Sequence, residues 1–364
     1  SPSCKKETRA AGLRAVSGHL TLVNHMSAFN LDLKWVALIA LVFQNSGLAI
    51  AMRYTFVVST GDRYLPSTAV LIAEILKLTI SFIACFVLDA NMSVQKFTSL
   101  LHFDLVVQKG DWFKLCVPSM LYTLQNSLQY YSMSCLSAPV FQVLYQMKII
   151  TTAIFSVLML AKRLSGLQWS SIVALTLGVA LVQLSQTSGA GDGKSNSVMG
   201  LLSVVLGCCT SGFAGVYFEM VLKSSNVSIW MRNIQLSIIG IFVATISCYM
   251  RDLESIRAKG FLTGYNEFVW MVILLQAAGG LIVAVVVKYA DNVLKGFATS
   301  LSILISSLVS WYMFHDLDVN AGFFFGALIV LSAVYIYGYQ APVVKAVVRA
   351  DKQDQEEGKG LLTA

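Results

Sequence analysis

Long apolar stretches alternate with short polar segments along most of the chain. A helix needs roughly 20 apolar residues to cross a bilayer, and ten stretches come close to that length. The pattern predicts ten membrane-spanning helices, at 36–56, 66–88, 112–133, 139–160, 166–185, 198–222, 230–250, 268–288, 294–314 and 321–339. The sequence therefore indicates an all-α integral membrane protein.

A Gly/Ser-rich segment at 186–197 divides the predicted spans into two groups of five. An odd number of crossings reverses the orientation of the next group of helices, so the pattern favours two inverted five-helix halves, at 36–185 and 198–339. Residues 1–35 and 340–364 are then terminal segments. Met26 resembles a natural start, and we assign no function to residues 1–25, which need not be native.

The composition supports a membrane environment. Hydrophobic residues make up 56% of the chain and charged residues 12%, whereas soluble domains average about 25% charged. The net charge is +7, but the basic residues lie at the ends of the apolar stretches. Eighteen Lys and Arg fall on one predicted side and six on the other, which predicts that both termini are cytosolic. Nucleic-acid binding is not expected.

Polar side chains recur at helical spacing within the third and fourth predicted spans. Spacings of three and four residues place them on one face of each helix. The two stripes consist of Tyr122, Gln125, Asn126 and Gln129, and of Phe141, Gln142, Tyr145 and Lys148. Amides and phenols are too polar for a lipid-facing surface. These stripes either bind helices together or line a wet cavity.

Lys148 is the most informative of these residues. No acidic residue lies three or four positions away, where it finds Leu144, Tyr145, Thr151 and Thr152. A charged side chain within a span is costly unless it is paired or reaches the interface. We prefer a phosphate-bearing ligand as its partner, with extension of the side chain to the membrane surface as the alternative.

Other charges and glycines in the spans are interpreted as structural or gating residues. Glu74 with Lys77, and Glu219 with Lys223, stand at spacings that permit local ion pairs. Two interpretations of Lys288 stay open: it contacts a ligand, or it forms an ion pair with Asp291. Small residues that permit close helix packing are Gly207, Gly212, Gly215, Gly279 and Gly280.

Enzymatic chemistry has little support in the sequence. No HExxH or GxSxG motif occurs, and no two carboxylates are placed to face one another. The segment around Lys194 resembles a phosphate-binding loop but has Ser188 where that motif needs glycine. The chain is expected to be neither an enzyme nor a metalloprotein, and no cofactor is expected.

Several long motifs, in order, resemble the Golgi nucleotide-sugar transporters of the drug/metabolite transporter superfamily. They are Tyr122-Thr-Leu-Gln125-Asn126, Phe141-Gln-Val-Leu-Tyr-Gln-Met-Lys148-Ile149, Ser211-Gly-Phe-Ala-Gly-Val-Tyr-Phe-Glu219, Arg232-Asn-Ile-Gln235 and Lys288-Tyr-Ala-Asp-Asn-Val-Leu-Lys-Gly-Phe-Ala-Thr-Ser300. Phe141 and the run 296–302 look most like the UDP-galactose branch. The UDP-N-acetylglucosamine carriers share the second run, and the CMP-sialic acid carriers are more distant.

The resemblance implies ten spans in two inverted halves and exchange of cytosolic UDP-sugar for lumenal UMP in the Golgi membrane. It implies that Lys148 and Lys288 contact phosphates and that Tyr122, Asn126 and their neighbours frame the nucleotide. The substrate-binding candidates are Tyr122, Gln125, Asn126, Gln129, Phe141, Gln142, Tyr145, Lys148, Ser211, Tyr217, Asn233, Lys288, Tyr289 and Asn292. Departures from the family pattern at Ser127, Leu144, Met147 and Met220 leave the sugar preference open.

The expected partners are a UDP-sugar, UMP and the lipid bilayer, with a homodimer or glycosyltransferase association as further candidates. UDP-galactose is the preferred substrate, and UDP-N-acetylgalactosamine and UDP-N-acetylglucosamine are additional candidates. A CMP-sialic acid/CMP antiporter and a non-transporting scaffold for glycosyltransferases are the alternative functions.

Overall fold

The computed structural model describes most of the apolar part of the chain. The described residues are 33–57, 64–108, 110, 113–136, 138–186, 198–224, 227–314 and 320–339. Residues 1–32 and 340–364 of the terminal segments, nearly all of the 186–197 linker, and the side chain of Asn126 lie outside them.

Thirteen α-helices account for nearly all of the described residues. In chain order they are α1 Leu33–Val57, α2 Pro66–Ala84, α3 Val94–His102, α4 Cys116–Cys135, α5 Ala138–Tyr145, α6 Met147–Leu160, α7 Gly166–Gln186, α8 Val198–Ser224, α9 Ile229–Arg251, α10 Leu253–Lys259, α11 Glu267–Tyr289, α12 Asn292–Phe314 and α13 Ala321–Tyr339. Short π-helical segments, Cys85–Asp89 and Phe103–Val107, extend α2 and α3. The described part contains no β-strand.

Nine helical segments in the described part are long and apolar enough to cross a membrane. The chain is therefore an all-α, multi-pass membrane protein, as the sequence predicts. The remaining expected span, 112–133, overlaps α4, which is 20 residues long but carries Tyr122, Gln125 and Gln129 and falls below the same apolar standard. Ten spans and their inverted arrangement stay a prediction.

The helices pack around several buried apolar clusters. The largest joins α1, α6, α7, α11, α12 and α13, with Leu41, Ile172, Val179, Val286 and Phe323 among its members. Outward-facing side chains on the same helices are also apolar, which suits a lipid-facing surface. In this fold α8 packs along α4 and α6, α9 packs along α2, and α11 packs along α1 and α2.

Close contact between α6 and α8 depends on a glycine. A Cβ added at Gly212 would lie 2.8 Å from Thr151 Oγ1 and 2.9 Å from the Thr152 backbone nitrogen. Backbone atoms cannot move away as a flexible side chain can, so only glycine permits this approach. This contact brings the polar residues of α6 next to those of α8.

The fourth predicted span is divided in two. The α5 helix ends at Tyr145 and α6 begins at Met147, with Gln146 between them. The backbone there makes tight i to i+3 bonds, from the Gln146 N–H to Val143 O and from the Ile149 N–H to Gln146 O. The buried Gln146 amide donates to Gln183 Oε1 on α7 over 2.7 Å, which holds the junction against a neighbouring helix.

Candidate functional site

A cavity of about 180 Å³ lies among α4, α5, α6, α8 and α12. Both polar and apolar groups line it: Tyr122, Gln125, Tyr145, Gln146, Lys148, Ile149, Thr152, Ser211, Gly215, Asn292, Val293, Lys295, Gly296, Thr299, Ser300 and Ile303. Sites that bury a whole drug-sized ligand usually hold about 300–1,000 Å³. In this form the cavity accommodates only part of a nucleotide, and a larger ligand requires the surrounding helices to separate.

Two lysines reach the cavity from different helices. Lys148 lies in the first turn of α6, and Lys295 lies in the first turn of α12. Within the described part of the chain, neither ammonium has an acidic partner within ion-pair distance. Two like charges near one another in an apolar bundle are unfavourable, so binding of an anion between them would be favourable.

Tyr145 supports Lys148 through its ring. The Lys148 ammonium lies 4.4 Å from the centroid of the Tyr145 ring, an attractive cation–π distance. Phe141 stacks on the same ring, with 5.3 Å between the ring centroids. The Gln125 side chain donates to the Tyr145 hydroxyl over 2.8 Å. The ring and the hydroxyl of Tyr145 are therefore both fixed in position, and the fixed ring face positions the Lys148 ammonium.

Two buried amide oxygens of the lining have no hydrogen-bond partner in the described part of the chain. They are Gln125 Oε1 and Asn292 Oδ1. A buried acceptor without a donor costs free energy, so each is suited to receive an N–H or O–H group from a ligand. The cavity thus combines cations for phosphate with acceptors for a base or a ribose.

The structure brings together six of the predicted substrate-binding residues at this cavity. They are Tyr122, Gln125, Tyr145, Lys148, Ser211 and Asn292. Phe141 contributes indirectly, by stacking on Tyr145. The side chain of Asn126 lies outside the described residues.

The other candidates lie outside the lining of this cavity. Gln129 and Gln142 are half-buried on α4 and α5, and Tyr217 stacks on Phe213 with 6.0 Å between the centroids. Asn233 is buried, and its amide donates to Ile229 O on its own helix. Tyr289 is exposed at the end of α11. Their substrate roles stay predictions.

Lys288 is also absent from the lining, although the resemblance implies a phosphate contact for it. Its suggested partner Asp291 is engaged elsewhere. One carboxylate oxygen of Asp291 accepts from the Leu294 backbone N–H over 2.8 Å, and the other lies 3.4 Å from Lys162 Nζ. The second lysine of the cavity is Lys295, which lies at the start of the ninth predicted span, 294–314, and is not among the substrate-binding candidates of the sequence.

A helical pattern could have identified Lys295. Asn292, Lys295, Gly296, Thr299 and Ser300 follow one another at spacings of one and three residues, and all line the cavity. The apolar pattern places the start of the ninth span at residue 294, whereas α12 begins at Asn292. Asp291 caps this helix, and Lys295 therefore lies in its first turn.

The expected local ion pairs are both present. Lys77 Nζ lies 2.6 Å from Glu74 Oε2, and Lys223 Nζ lies 2.7 Å from Glu219 Oε1. Glu219 has no exposed side-chain surface and binds a further lysine, Lys162, at 2.9 Å. The Glu219 carboxylate therefore binds lysines from two different elements, and not only the local partner Lys223.

Together these features define a multi-pass membrane protein with a buried, cation-bearing cavity suited to a phosphorylated ligand. The family model of nucleotide-sugar transporters matches residues 29–338. The chain belongs to the nucleotide-sugar transporter family, and it is a transporter rather than an enzyme.

Individual relatives agree with this assignment. The UDP-N-acetylglucosamine transporter of Canis lupus familiaris is 45% identical over 316 residues, covering 85% of this chain and 96% of that protein. The UDP-galactose translocator of Mus musculus is 45% identical over 345 residues, covering 94% of this chain and 88% of that protein. A solved crystal structure shares the fold, with a TM-score of 0.61 at 11% identity, covering 85% of this chain and 97% of that one.

Proposed function

We propose that the protein exchanges cytosolic UDP-galactose for lumenal UMP across the Golgi membrane by alternating access. UDP-N-acetylgalactosamine and UDP-N-acetylglucosamine are further candidate substrates of the same site. Both termini lie in the cytosol in this proposal. The observation that carries it is the placement of Lys148 and Lys295, without acidic partners in the described part of the chain, in a single cavity.

The two ammonium groups explain why the ligand should be a phosphate ester. A buried cation is costly until an anion compensates it, and phosphate oxygens accept strong, charge-assisted hydrogen bonds from lysine. A UDP-sugar brings two phosphates and UMP brings one. Both ligands therefore satisfy the same cations, which is what an exchanger of these two compounds requires.

The remaining lining groups suit the nucleoside. Tyr122 offers an aromatic surface, and Gln125 Oε1 is a buried acceptor that matches the N3–H donor of a uracil ring. Asn292 Oδ1 and the Ser211 hydroxyl can bond ribose hydroxyls. These groups are common to UDP-sugars and UMP, so the shared part of the two ligands would anchor both.

Compulsory exchange follows from the cost of the empty site. If the empty carrier reoriented, it would move two uncompensated ammonium groups through the apolar bundle. A bound phosphate neutralises them, so the loaded carrier reorients more readily than the empty one. This makes transport in one direction depend on a ligand in the other.

The choice of UDP-galactose rests on the resemblance at Phe141, which stacks on Tyr145 beside the cavity. Gly296, Thr299 and Ser300 line the cavity, but they belong to the run that the UDP-N-acetylglucosamine carriers share. The relatives support both sugars, because a UDP-galactose translocator and a UDP-N-acetylglucosamine transporter match at the same 45% identity. The sugar preference therefore has to be measured directly.

The test uses purified protein in liposomes loaded with UMP. Uptake of labelled UDP-galactose, UDP-N-acetylglucosamine, UDP-N-acetylgalactosamine, CMP-sialic acid and GDP-mannose is compared with uptake into liposomes without UMP. The proposal predicts UMP-dependent uptake with UDP-galactose fastest. Uptake of CMP-sialic acid alone would overturn the substrate assignment, and equal uptake with and without internal UMP would overturn the exchange mechanism.

A further inference from the structure

Four charged side chains form a balanced cluster beside the cavity: Lys162, Lys223, Glu219 and Asp291. Lys162 Nζ lies 2.9 Å from Glu219 Oε1 and 3.4 Å from Asp291 Oδ2. Lys223 Nζ lies 2.7 Å from the same Glu219 oxygen and donates to Ala290 O over 2.6 Å. The cluster joins three elements: α8, the α6–α7 link and the α11–α12 link.

This cluster forms one end of the cavity. Gly215 and Asn292 line the cavity, and Glu219 lies one helical turn beyond Gly215 on α8. The Asn292 side chain donates to Gly215 O over 2.5 Å, and its backbone N–H donates to Glu219 Oε2 over 2.9 Å. Glu219 is completely buried and Asn292 nearly so, so water has no wide path past them at this end.

The partners of Glu219 are not equivalent. Lys223 is four residues away on the same helix, and Asn292 binds the other carboxylate oxygen through two N–H groups. Lys162 comes from a different part of the bundle, the link that follows α6. If Lys162 leaves, Glu219 keeps a lysine and an amide, so its charge stays compensated.

Lys162 can also leave at little cost to itself. Its side chain is 23% exposed, whereas the Glu219 side chain is fully buried. A partly exposed ammonium regains hydration when its ion pair breaks, which makes such pairs weak compared with fully buried ones. Lys223 is more exposed still, at 35%, but it lies on the same helix as Glu219 and moves with it. Of the two lysine contacts to Glu219, the Lys162 contact is therefore the one that joins separate elements and can break when they move apart.

We infer that Lys162 is a gating residue, which closes the cavity at its predicted cytosolic end by binding Glu219 and Asp291. The inference rests on the proposed transport function. Lys148 lies on α6 and Lys295 on α12, and the connection from Lys162 through Glu219 to Asn292 joins the ends of these two helices. Opening this end separates them, which requires the Lys162 contact to break in each cycle.

The test measures access to the cavity without any ligand. Ser211→Cys places a reporter thiol in the cavity, and a membrane-impermeant maleimide reaches it from the cytosolic face of sealed microsomes. Labelling of the same protein without the reporter is subtracted, because the chain has other cysteines. Adding Lys162→Ala is expected to speed labelling about tenfold, which corresponds to a population shift of about 1.4 kcal/mol.

Matched variants separate gating from other effects. Lys162→Arg keeps the charge and should keep the slow labelling. Lys96→Ala removes one exposed lysine on the same predicted face and should leave labelling slow. If Lys162→Ala folds poorly, Lys162→Met keeps the aliphatic stem and serves as the second variant. Labelling of Lys162→Ala and Lys162→Met at the slow Lys96→Ala rate overturns the inference.

The outcomes distinguish this inference from the proposed function. Accelerated labelling together with no UMP-dependent exchange by the wild-type protein would keep the gate and reject the exchange. Normal exchange by the wild-type protein together with unchanged labelling would keep the exchange and reject the gate. In the Lys162→Ala variant the gate further predicts that UMP affinity changes less than the exchange rate does.

Discussion

The Gln125 side chain donates a hydrogen bond of 2.8 Å to the hydroxyl of Tyr145, and so joins α4 to the helix that precedes the cavity lysine. The Tyr145 ring in turn lies 4.4 Å from the Lys148 ammonium. Two separable effects meet in this residue, because the hydroxyl holds the ring and the ring holds the cation.

Substitutions at Tyr145 should separate these effects. Tyr145→Phe keeps the ring but removes the partner of a buried amide, a loss of about 1–3 kcal/mol that should lower the melting temperature. Tyr145→Leu also removes the cation–π contact, worth about 0.5–2 kcal/mol. UMP affinity, measured by calorimetry, should therefore fall further in Tyr145→Leu than in Tyr145→Phe. Equal affinities in the two variants would show that the ring does not position Lys148.

Lys295 and Lys288 make contrasting predictions for the same ligand. Lys295→Ala should weaken UMP binding on the order of tenfold to a hundredfold, the effect of losing one hydrogen bond to a charged group. Lys288→Ala should weaken it much less, because Lys288 lies outside the cavity lining. Uridine, which lacks the phosphate, is the control ligand and should bind both variants alike. If Lys288→Ala weakened UMP binding more than Lys295→Ala does, Lys288 rather than Lys295 would be the phosphate contact.

Gly212 and Gly207 provide a matched pair on α8. Gly212→Ala should destabilise the protein by about 1–3 kcal/mol, because the added methyl group meets the backbone of Thr152 and the side chain of Thr151. At Gly207 the same methyl group would lie 3.9 Å from Leu128 Cβ, an ordinary contact. Melting temperatures in detergent should drop for the first variant and stay near wild type for the second.

For the Glu74–Lys77 pair, we expect that removing both charges destabilises the protein less than removing the lysine charge alone. Lys77→Met leaves a carboxylate in the bundle without its ion-pair partner and should cost about 3 kcal/mol. Combining Lys77→Met with Glu74→Gln removes both charges, so the double variant should melt at a higher temperature than Lys77→Met alone. A double variant that melts at or below the single one would contradict local neutralisation as the role of this pair.

The sequence identified the helical segments well because apolar length is a direct consequence of bilayer thickness. It also showed the polar stripe of α4, but it did not show that a nine-residue helix, Val94–His102, lies between two of the spans. Ser93 caps this helix through the Lys96 N–H, but nine residues are too few for hydropathy alone to reveal.

The candidate site was only partly predictable for a similar reason. Lys148 was recognisable because it lacks acidic neighbours on its own helix, which is a local property. Lys295 depends on where α12 begins, and that start is set by Asp291 and by a carboxylate from another helix, Glu219. The link from Lys162 to Glu219 joins residues 57 positions apart, and no local pattern encodes it.

The break at Gln146 has a consequence for how this part of the chain enters the membrane. The α5 helix has 8 residues and α6 has 14, so they extend about 12 Å and about 21 Å at 1.5 Å per residue. Neither reaches across a hydrocarbon layer of roughly 30 Å. The two pieces cross only when stacked end to end, and the amide at their junction bonds to Gln183 of α7. The junction of this crossing is therefore held by a helix that is synthesised after it.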